Sequence, residues 1–146
     1  MTDLLDVNVL VSLAWPNHVH HLAARAWFAR DRAGAWATTP ITECGFVRVS
    51  SNRSAIPTAV TPAEAVLLLS QMRALEGHVF LVDDLQAVVG EPPEPPRLAT
   101  HSLVTDAHLL ALARRHDARL VTFDRGVAAM AGHAPVEDVL LLQPKR

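Results

Sequence analysis

The stretch DLLDVNVLVSLA at residues 3–14 changes from a strand pattern to a helix pattern within a few residues. Residues 3–7 have the composition of a short buried strand. From Asn8 the apolar residues continue in a helical register, until Trp15-Pro16 ends the helix. A buried strand that runs directly into a helix is typical of a parallel sheet covered by helices.

The same alternation continues along the rest of the chain. Further helices are predicted from about Asn17 to near Gly34, from Pro40 through Val49, from Thr61 to about Ala74, and from Ser102 to His116. Further strands are predicted at residues 36–39, 79–82, 119–123 and 139–142. The proline run EPPEPP at residues 91–96 predicts a stiff extended loop. We therefore expect a three-layer α/β/α fold with a mainly parallel central sheet.

Length and composition favour one folded domain spanning residues 1–146. Half of the residues are apolar and 19% are charged, which allows a large apolar interface. A formal net charge of -2 argues against indiscriminate coating of nucleic-acid duplexes, but it permits a local basic rim around an acidic pocket.

The cellular setting is also constrained by the sequence. Cys44 is the single cysteine, so an internal disulfide is excluded and a reducing compartment, the cytoplasm, is expected. Asp3 and Asp6 bracket the first apolar run, which does not resemble a secretion signal. No apolar stretch approaches the ~20 residues of a membrane helix, so no membrane association is expected.

Acidic residues follow several of the predicted strands. Asp6 ends the first strand, and Asp124 directly follows the fourth. Glu43 lies one turn into the helix after the second strand, and Asp106 lies near the start of the long helix. Ligands of such sheets bind at the carboxyl ends of the strands, so we expect these four side chains at one edge.

Carboxylates that converge in this way repel one another. Two like charges ~4 Å apart repel by about 4 kcal/mol at an effective dielectric of about 20. A divalent cation removes this repulsion, and a donor set made only of oxygens favours Mg²⁺ or Mn²⁺ over zinc. Because such ions activate water for in-line displacement at phosphorus, the pattern predicts phosphodiester hydrolysis.

Four segments of the chain resemble, in order, the motifs of the PIN-domain nucleases, and most closely those of the VapC toxins. They are LLDVNVL at residues 4–10, TECGFVR at 42–48, VTDAHL at 104–109 and LVTFDRG at 120–126. The likeness extends over essentially the whole chain. It implies a PIN-like fold and endonucleolytic cleavage of RNA, frequently of structured RNA such as tRNA.

The resemblance also implies roles for individual residues. The positions that match Asp6, Glu43, Asp106 and Asp124 form the acidic metal site, and those that match Asn8 and Thr122 support it. We expect the three aspartates to hold the metal, while Glu43 binds it or orients the attacking water. The resemblance further implies inhibition by a tightly bound VapB-like antitoxin, and the apolar composition suggests a homodimer.

Each acidic residue also has a structural explanation when it is considered alone. Asp6 could cap the following helix, Asp106 could interact with a helix dipole, and Asp124-Arg125-Gly126 could be an ordinary turn. Only Glu43, among apolar neighbours on a helix expected to be buried, is hard to explain as a solvated residue.

Other conspicuous residues are assigned structural or contact roles. The cluster of His18, His20 and His21 lacks a third zinc partner at a recognised spacing and is expected to begin a helix whose outward members could touch RNA or the partner. Cys44 is expected in the core, and Trp15, Trp27 and Trp36 in the core or an interface. Arginines that could line a phosphate track or simply cover helix surface are Arg48, Arg53, Arg114, Arg115 and Arg125.

Two rival functions remain open. Aspartyl phosphoryl transfer is suggested by the acid after the first strand, but Asn8 stands where a second acid is usual, and the only lysine is Lys145 near the chain end. The other rival is a PIN-like module that binds RNA or protein without cutting, which the four intact acids argue against.

Overall fold

The computed structural model describes residues 1–32, 34–86, 103–131 and 138–143, and eleven helices and strands lie within these ranges. The strands are β1 (Thr2–Leu5), β2 (Ala35–Thr38), β3 (His78–Phe80), β4 (Ala118–Thr122) and β5 (Val139–Leu141). The helices are α1 (Val7–Ala14), α2 (His21–Arg30), α3 (Pro40–Ser50), α4 (Pro62–Arg73), α5 (Val104–Arg115) and α6 (Arg125–Met130). The predicted loop at residues 91–96 lies outside the described residues, and so does Lys145.

The five strands form one parallel sheet in the order β3-β2-β1-β4-β5. The first strand is therefore central, with Leu4 opposite Ala37 of β2 on one side and Leu120 of β4 on the other. The carboxyl ends of β1, β2 and β4 lie along one edge of the sheet, and this confirms the predicted parallel α/β architecture.

Helices cover both faces of the sheet, because neighbouring residues of a strand point to opposite sides. One buried cluster contains Leu5, Trp36 and Val121, together with side chains of α1 to α4. The other contains Leu4, Ala37 and Leu120, together with side chains of α5 and α6. The two apolar cores give the three layers that the sequence predicts.

Both predicted ends of the second helix are wrong, and one helix was not predicted. The second helix begins at His21, not near Asn17, because the chain first makes two turns. In these turns the His18 N–H donates to the Trp15 carbonyl and the His21 N–H donates to the His18 carbonyl, both at 3.0 Å. It ends at Arg30, before Gly34, since the backbone amides of the next two residues both bond the Trp27 carbonyl. The helix that was not predicted is α6, which Asp124 caps.

Burial corrects one further expectation. Cys44 is exposed, not in the core, because α3 turns Thr42, Gly45 and Phe46 inward. At Gly45 the backbone of α3 comes so close to α1 that an added Cβ would overlap Val7. The tryptophans do pack as expected: Trp27 and Trp36 are buried, and Trp15 packs against the same core while its indole N–H donates to Ser50 at 3.0 Å. No helix in the described ranges is long and apolar enough to cross a bilayer.

Candidate active site

Asp6 lies at the junction of the central strand and the first helix. It is the N-cap of α1, where its Oδ1 accepts the Val9 backbone N–H at 2.9 Å. Its Oδ2 accepts the hydroxyl of Thr122, the last residue of β4. With only 4% of its surface exposed, this carboxyl is held rigidly inside the protein.

Burial makes the charged form of Asp6 unfavourable. It raises the pKa of Asp6 from 3.8 to about 6, although the hydrogen bonds from Thr122 and Val9 pull the pKa downward. The negative charges of Asp106 and Asp124 add to the rise. These two acids are therefore close enough to interact electrostatically with Asp6, although they come from the opposite end of the chain.

Asp106 and Asp124 also affect each other. Burial in the first turn of α5 raises the pKa of Asp106, and the charge of Asp124 raises it further. Asp124 itself is exposed and caps α6, with its Oδ1 accepting the Gly126 N–H at 2.7 Å. We call Asp6, Asp106 and Asp124 the aspartate group.

Thr122 connects two members of this group. Its hydroxyl donates to Asp6 and accepts the backbone N–H of Asp124 at 3.0 Å. Asn8, the other expected supporting residue, is exposed in the first turn of α1, and its backbone carbonyl accepts the Ser12 hydroxyl. In the part of the chain that the structure describes, Asp6 is bonded by Thr122 and not by the Asn8 side chain.

Glu43 lies on α3, in a separate set of contacts. Its Oε2 accepts the hydroxyl of Thr38 at 2.9 Å, and its Oε1 accepts from Arg73 of α4 at 3.1 Å. Thr38 in turn lies 2.8 Å from Nε2 of His78. The structure thus brings the three aspartates together electrostatically, while both oxygens of Glu43 are already bonded to side chains of β2 and α4.

The donor chemistry of the aspartate group fits a hard divalent cation, because it consists only of carboxylate oxygens. Among the residues that the structure describes, no three His, Cys, Asp or Glu side chains are already arranged to hold a metal ion.

Sequence reasoning missed Thr38, Arg73 and His78. Thr38 could have been found, because it ends β2 in the same way that Thr122 ends β4. Arg73 and His78 lie 30 and 35 residues beyond Glu43 and carry no signal of their own.

The histidine cluster mostly faces the protein. His18 Nδ1 lies 3.1 Å from the Ser12 hydroxyl, and His21 Nδ1 lies 2.7 Å from the Ser12 carbonyl. His20 stacks on Phe123, with 4.4 Å between ring centroids. These contacts fasten the turns before α2 to the end of α1 and to the residue next to Asp124.

The arginines considered for a phosphate track fall into two groups. Arg114 pairs with Asp138 at 2.6 Å, and Arg115 pairs with Asp84 at 2.8 Å. Arg48, Arg53 and Arg125 are exposed.

A family model, PIN domain, matches residues 4–133. The chain belongs to the PIN-domain family. This PIN-domain chain is 52% identical over 137 residues to Ribonuclease VapC39 of Mycobacterium tuberculosis. The matched region covers 94% of this chain and 99% of the relative. It is 49% identical over 139 residues to Ribonuclease VapC38 of the same organism, which covers 95% of this chain and 96% of the relative. The resemblance to VapC proteins is therefore confirmed.

Solved structures agree on the fold of this PIN domain. The sarcin-ricin loop cleaving toxin VapC20 of M. tuberculosis superposes with a TM-score of 0.62 at 16% identity, covering 92% of this chain and 98% of the other. VapBC2 of Rickettsia felis, bound to a promoter DNA fragment, superposes with a TM-score of 0.56 at 13% identity, covering 98% of this chain and 100% of the other. Identities this low bear on the fold alone.

Proposed function

We propose that this PIN-domain protein is a metal-dependent endoribonuclease that acts as the toxin of a toxin–antitoxin pair. The observation that carries the proposal is the aspartate group at the carboxyl edge of the sheet, where burial and mutual repulsion raise the pKa of Asp6 to about 6. Relatives that match nearly the whole chain at about half identity are named ribonucleases. This supports RNA as the substrate, and we propose tRNA or another structured RNA.

The metal is Mg²⁺ or Mn²⁺ in this proposal. Asp6, Asp106 and Asp124 hold it, and Glu43 binds it or orients the attacking water. When bound, the cation supplies a Lewis acid that activates water and stabilises the charge on the leaving oxygen. Thr122 orients the Asp6 carboxylate through its hydrogen bond. Asn8, exposed in the first turn of α1, is proposed as a further supporting residue.

RNA reaches the site from the side of Asp124, the exposed member of the aspartate group. In this proposal Arg125, which is exposed and directly follows Asp124, holds the RNA backbone, and the exposed Arg48 and Arg53 are further candidates for contacts to phosphates. Specificity then comes from the shape and exposed loops of the RNA, because contacts to phosphates carry no sequence information.

The proposed partners are a VapB-like antitoxin and a second copy of the chain, in the cytoplasm. An apolar groove of about 340 Å³ lies between α1, α2 and α4 and offers the antitoxin a docking site. It is lined by Phe28, Leu68, Met72 and Leu75, with Arg25 at its side. Val79, Phe80 and Val82, which are exposed apolar residues at the end of the edge strand β3, offer a surface for a homodimer.

Cleavage of total RNA by the purified chain, with Mg²⁺ or Mn²⁺ and with EDTA, tests the proposal. We expect cleavage that needs the metal and that Asp6→Ala and Asp106→Ala abolish while the circular dichroism spectrum is kept. Asp138→Ala is the matched control, since this acid pairs with Arg114 away from the aspartate group. Cleavage that persists in both site variants would refute the proposal, and RNA binding without cleavage would indicate a PIN-like binding module.

A further inference from the structure

The hydroxyl of Thr38 has two partners and only one proton. It lies 2.9 Å from Oε2 of Glu43 and 2.8 Å from Nε2 of His78, and Thr38 is fully buried. The Glu43 carboxylate, which is ion-paired with Arg73, can only accept. The Thr38 proton therefore goes to Glu43, and the hydroxyl oxygen must accept a proton from His78.

This direction determines the tautomer of His78. Burial and the nearby charge of Arg73 lower the pKa of His78 by more than the charge of Glu43 raises it, so the ring is neutral at neutral pH and carries a single N–H. That proton must be on Nε2 for Thr38 to accept it. The ring is held in place by an edge-to-face contact with the buried Trp36, with 4.7 Å between centroids.

The backbone around Glu43 is equally well fixed. Thr39, the N-cap of α3, bonds the Leu81 carbonyl through its hydroxyl at 2.8 Å. Its backbone N–H donates to the Thr42 hydroxyl at 3.0 Å, and its carbonyl accepts the N–H of Glu43 at 3.0 Å. With its main chain fixed in this way, Glu43 depends on Thr38 and Arg73 for the orientation of its side chain.

We propose that His78, Thr38 and Arg73 form a directional hydrogen-bond network that positions the Glu43 carboxylate for cleavage. The order is His78 Nε2–H to Thr38 Oγ1, then Thr38 O–H to Glu43 Oε2, while Arg73 bonds Oε1. The expected effect of the network on RNA cleavage rests on the proposed function, but the direction of its hydrogen bonds does not depend on that function. None of the three is a catalytic residue; each acts through Glu43.

The first test measures the tautomer directly. Long-range ¹H–¹⁵N NMR correlations of the histidine rings distinguish an Nε2–H from an Nδ1–H imidazole, and His78→Gln assigns the signal. We expect the Nε2–H form in the metal-free protein, and loss of its fixed tautomer in Thr38→Val. A wild-type His78 with its proton on Nδ1 would overturn the proposal, because Thr38 would then donate to the ring and leave Glu43 without its donor.

The second test measures RNA cleavage with variants that keep or remove each donor. Thr38→Val should lower kcat about 10- to 100-fold, the usual effect of removing an outer-shell partner. KM should not change, since a fully buried residue cannot touch RNA. Thr38→Ser should restore activity, and His78→Gln should exceed His78→Leu because it keeps a donor. Equal activity of Thr38→Val and wild type would overturn the proposal.

Arg73→Ala has a matched control in Arg114→Ala, because both arginine side chains are 45% exposed and both are paired with an acid. Only Arg73→Ala should lower kcat. Equal losses in the two variants would show a general effect of charge and contradict the proposal. If the wild type cleaves no RNA but His78 carries its proton on Nε2, the proposed function and the positioning role both fail, whereas the hydrogen-bond network is upheld.

Discussion

Asparagine in place of Asp6 should stabilise the metal-free protein at neutral pH while it abolishes RNA cleavage. Asn has nearly the shape of Asp but no charge. The pKa of Asp6 rises from 3.8 to about 6 on folding, so protonation of this carboxyl stabilises the folded state relative to the unfolded state. The stabilisation is complete below pH 4 and is lost as the pH rises through 6. At neutral pH the folded protein therefore carries an unfavourable buried charge that the variant lacks.

The magnitude follows from the same rise. A change in pKa from 3.8 to about 6 corresponds to about 3 kcal/mol of folding free energy between pH 4 and pH 7. The hydrogen bonds from Thr122 and Val9 to the charged carboxylate are already included in this net rise. We therefore expect Asp6→Asn to be more stable than wild type by about 3 kcal/mol at pH 7.5 and nearly as stable as wild type at pH 4, where the folded carboxyl is protonated.

Urea unfolding from pH 4 to pH 8 in the presence of EDTA measures this difference. All groups other than Asp6 are the same in both proteins, so the difference between the two curves isolates Asp6 and its coupling to Asp106 and Asp124. Asp84→Asn is the control of opposite sign, because the hydrogen bond from Arg115 lowers the pKa of this exposed acid. If the curves of wild type and Asp6→Asn ran parallel across this range, the burial argument for the site would be wrong.

Two further predictions concern the packing that holds the site in place. Arg119→Ala should cost about 1.5–3 kcal/mol in urea unfolding, because it removes the hydrogen bonds of 2.8 and 3.2 Å that Arg119 donates to the fully buried carboxylate of Asp3; a cost below 1 kcal/mol would contradict this. Gly45→Ala should cost about 1–3 kcal/mol because the new methyl overlaps Val7. The same change in a Val7→Ala background should cost less, and equal costs in the two backgrounds would exclude that overlap as the cause.

Much of the fold was predictable because its signals are local. Residues 3–14 specify a strand and a helix through their own apolar spacing, and the order of such units leaves few topologies other than a parallel sheet. The acids that follow the strands, Asp6 and Asp124, were predictable for the same reason. Helix α6 was missed because its six residues are too few to show a helical period.

What could not be predicted depends on contacts between distant parts of the chain. The exposure of Cys44 follows from the rotation of α3, which Gly45 sets by its close approach to α1. The contact of His78 with Thr38 depends on the register of β3 against β2, in which Trp36 lies opposite His78. Neither the rotation of α3 nor the register of β3 can be predicted from the residues next to the site.

Two strands of the sheet end in the same way, and this similarity explains how the site is assembled. Thr122 ends β4 and donates its hydroxyl to Asp6, while it accepts the N–H of Asp124. Thr38 ends β2 and donates to Glu43, while in the proposed network it accepts from His78. Each hydroxyl is buried, so it needs both partners, and each therefore fixes an acid that belongs to a different element. The parallel sheet aligns the two threonines along one edge, and their hydrogen bonds orient carboxylates from distant segments of the chain toward it.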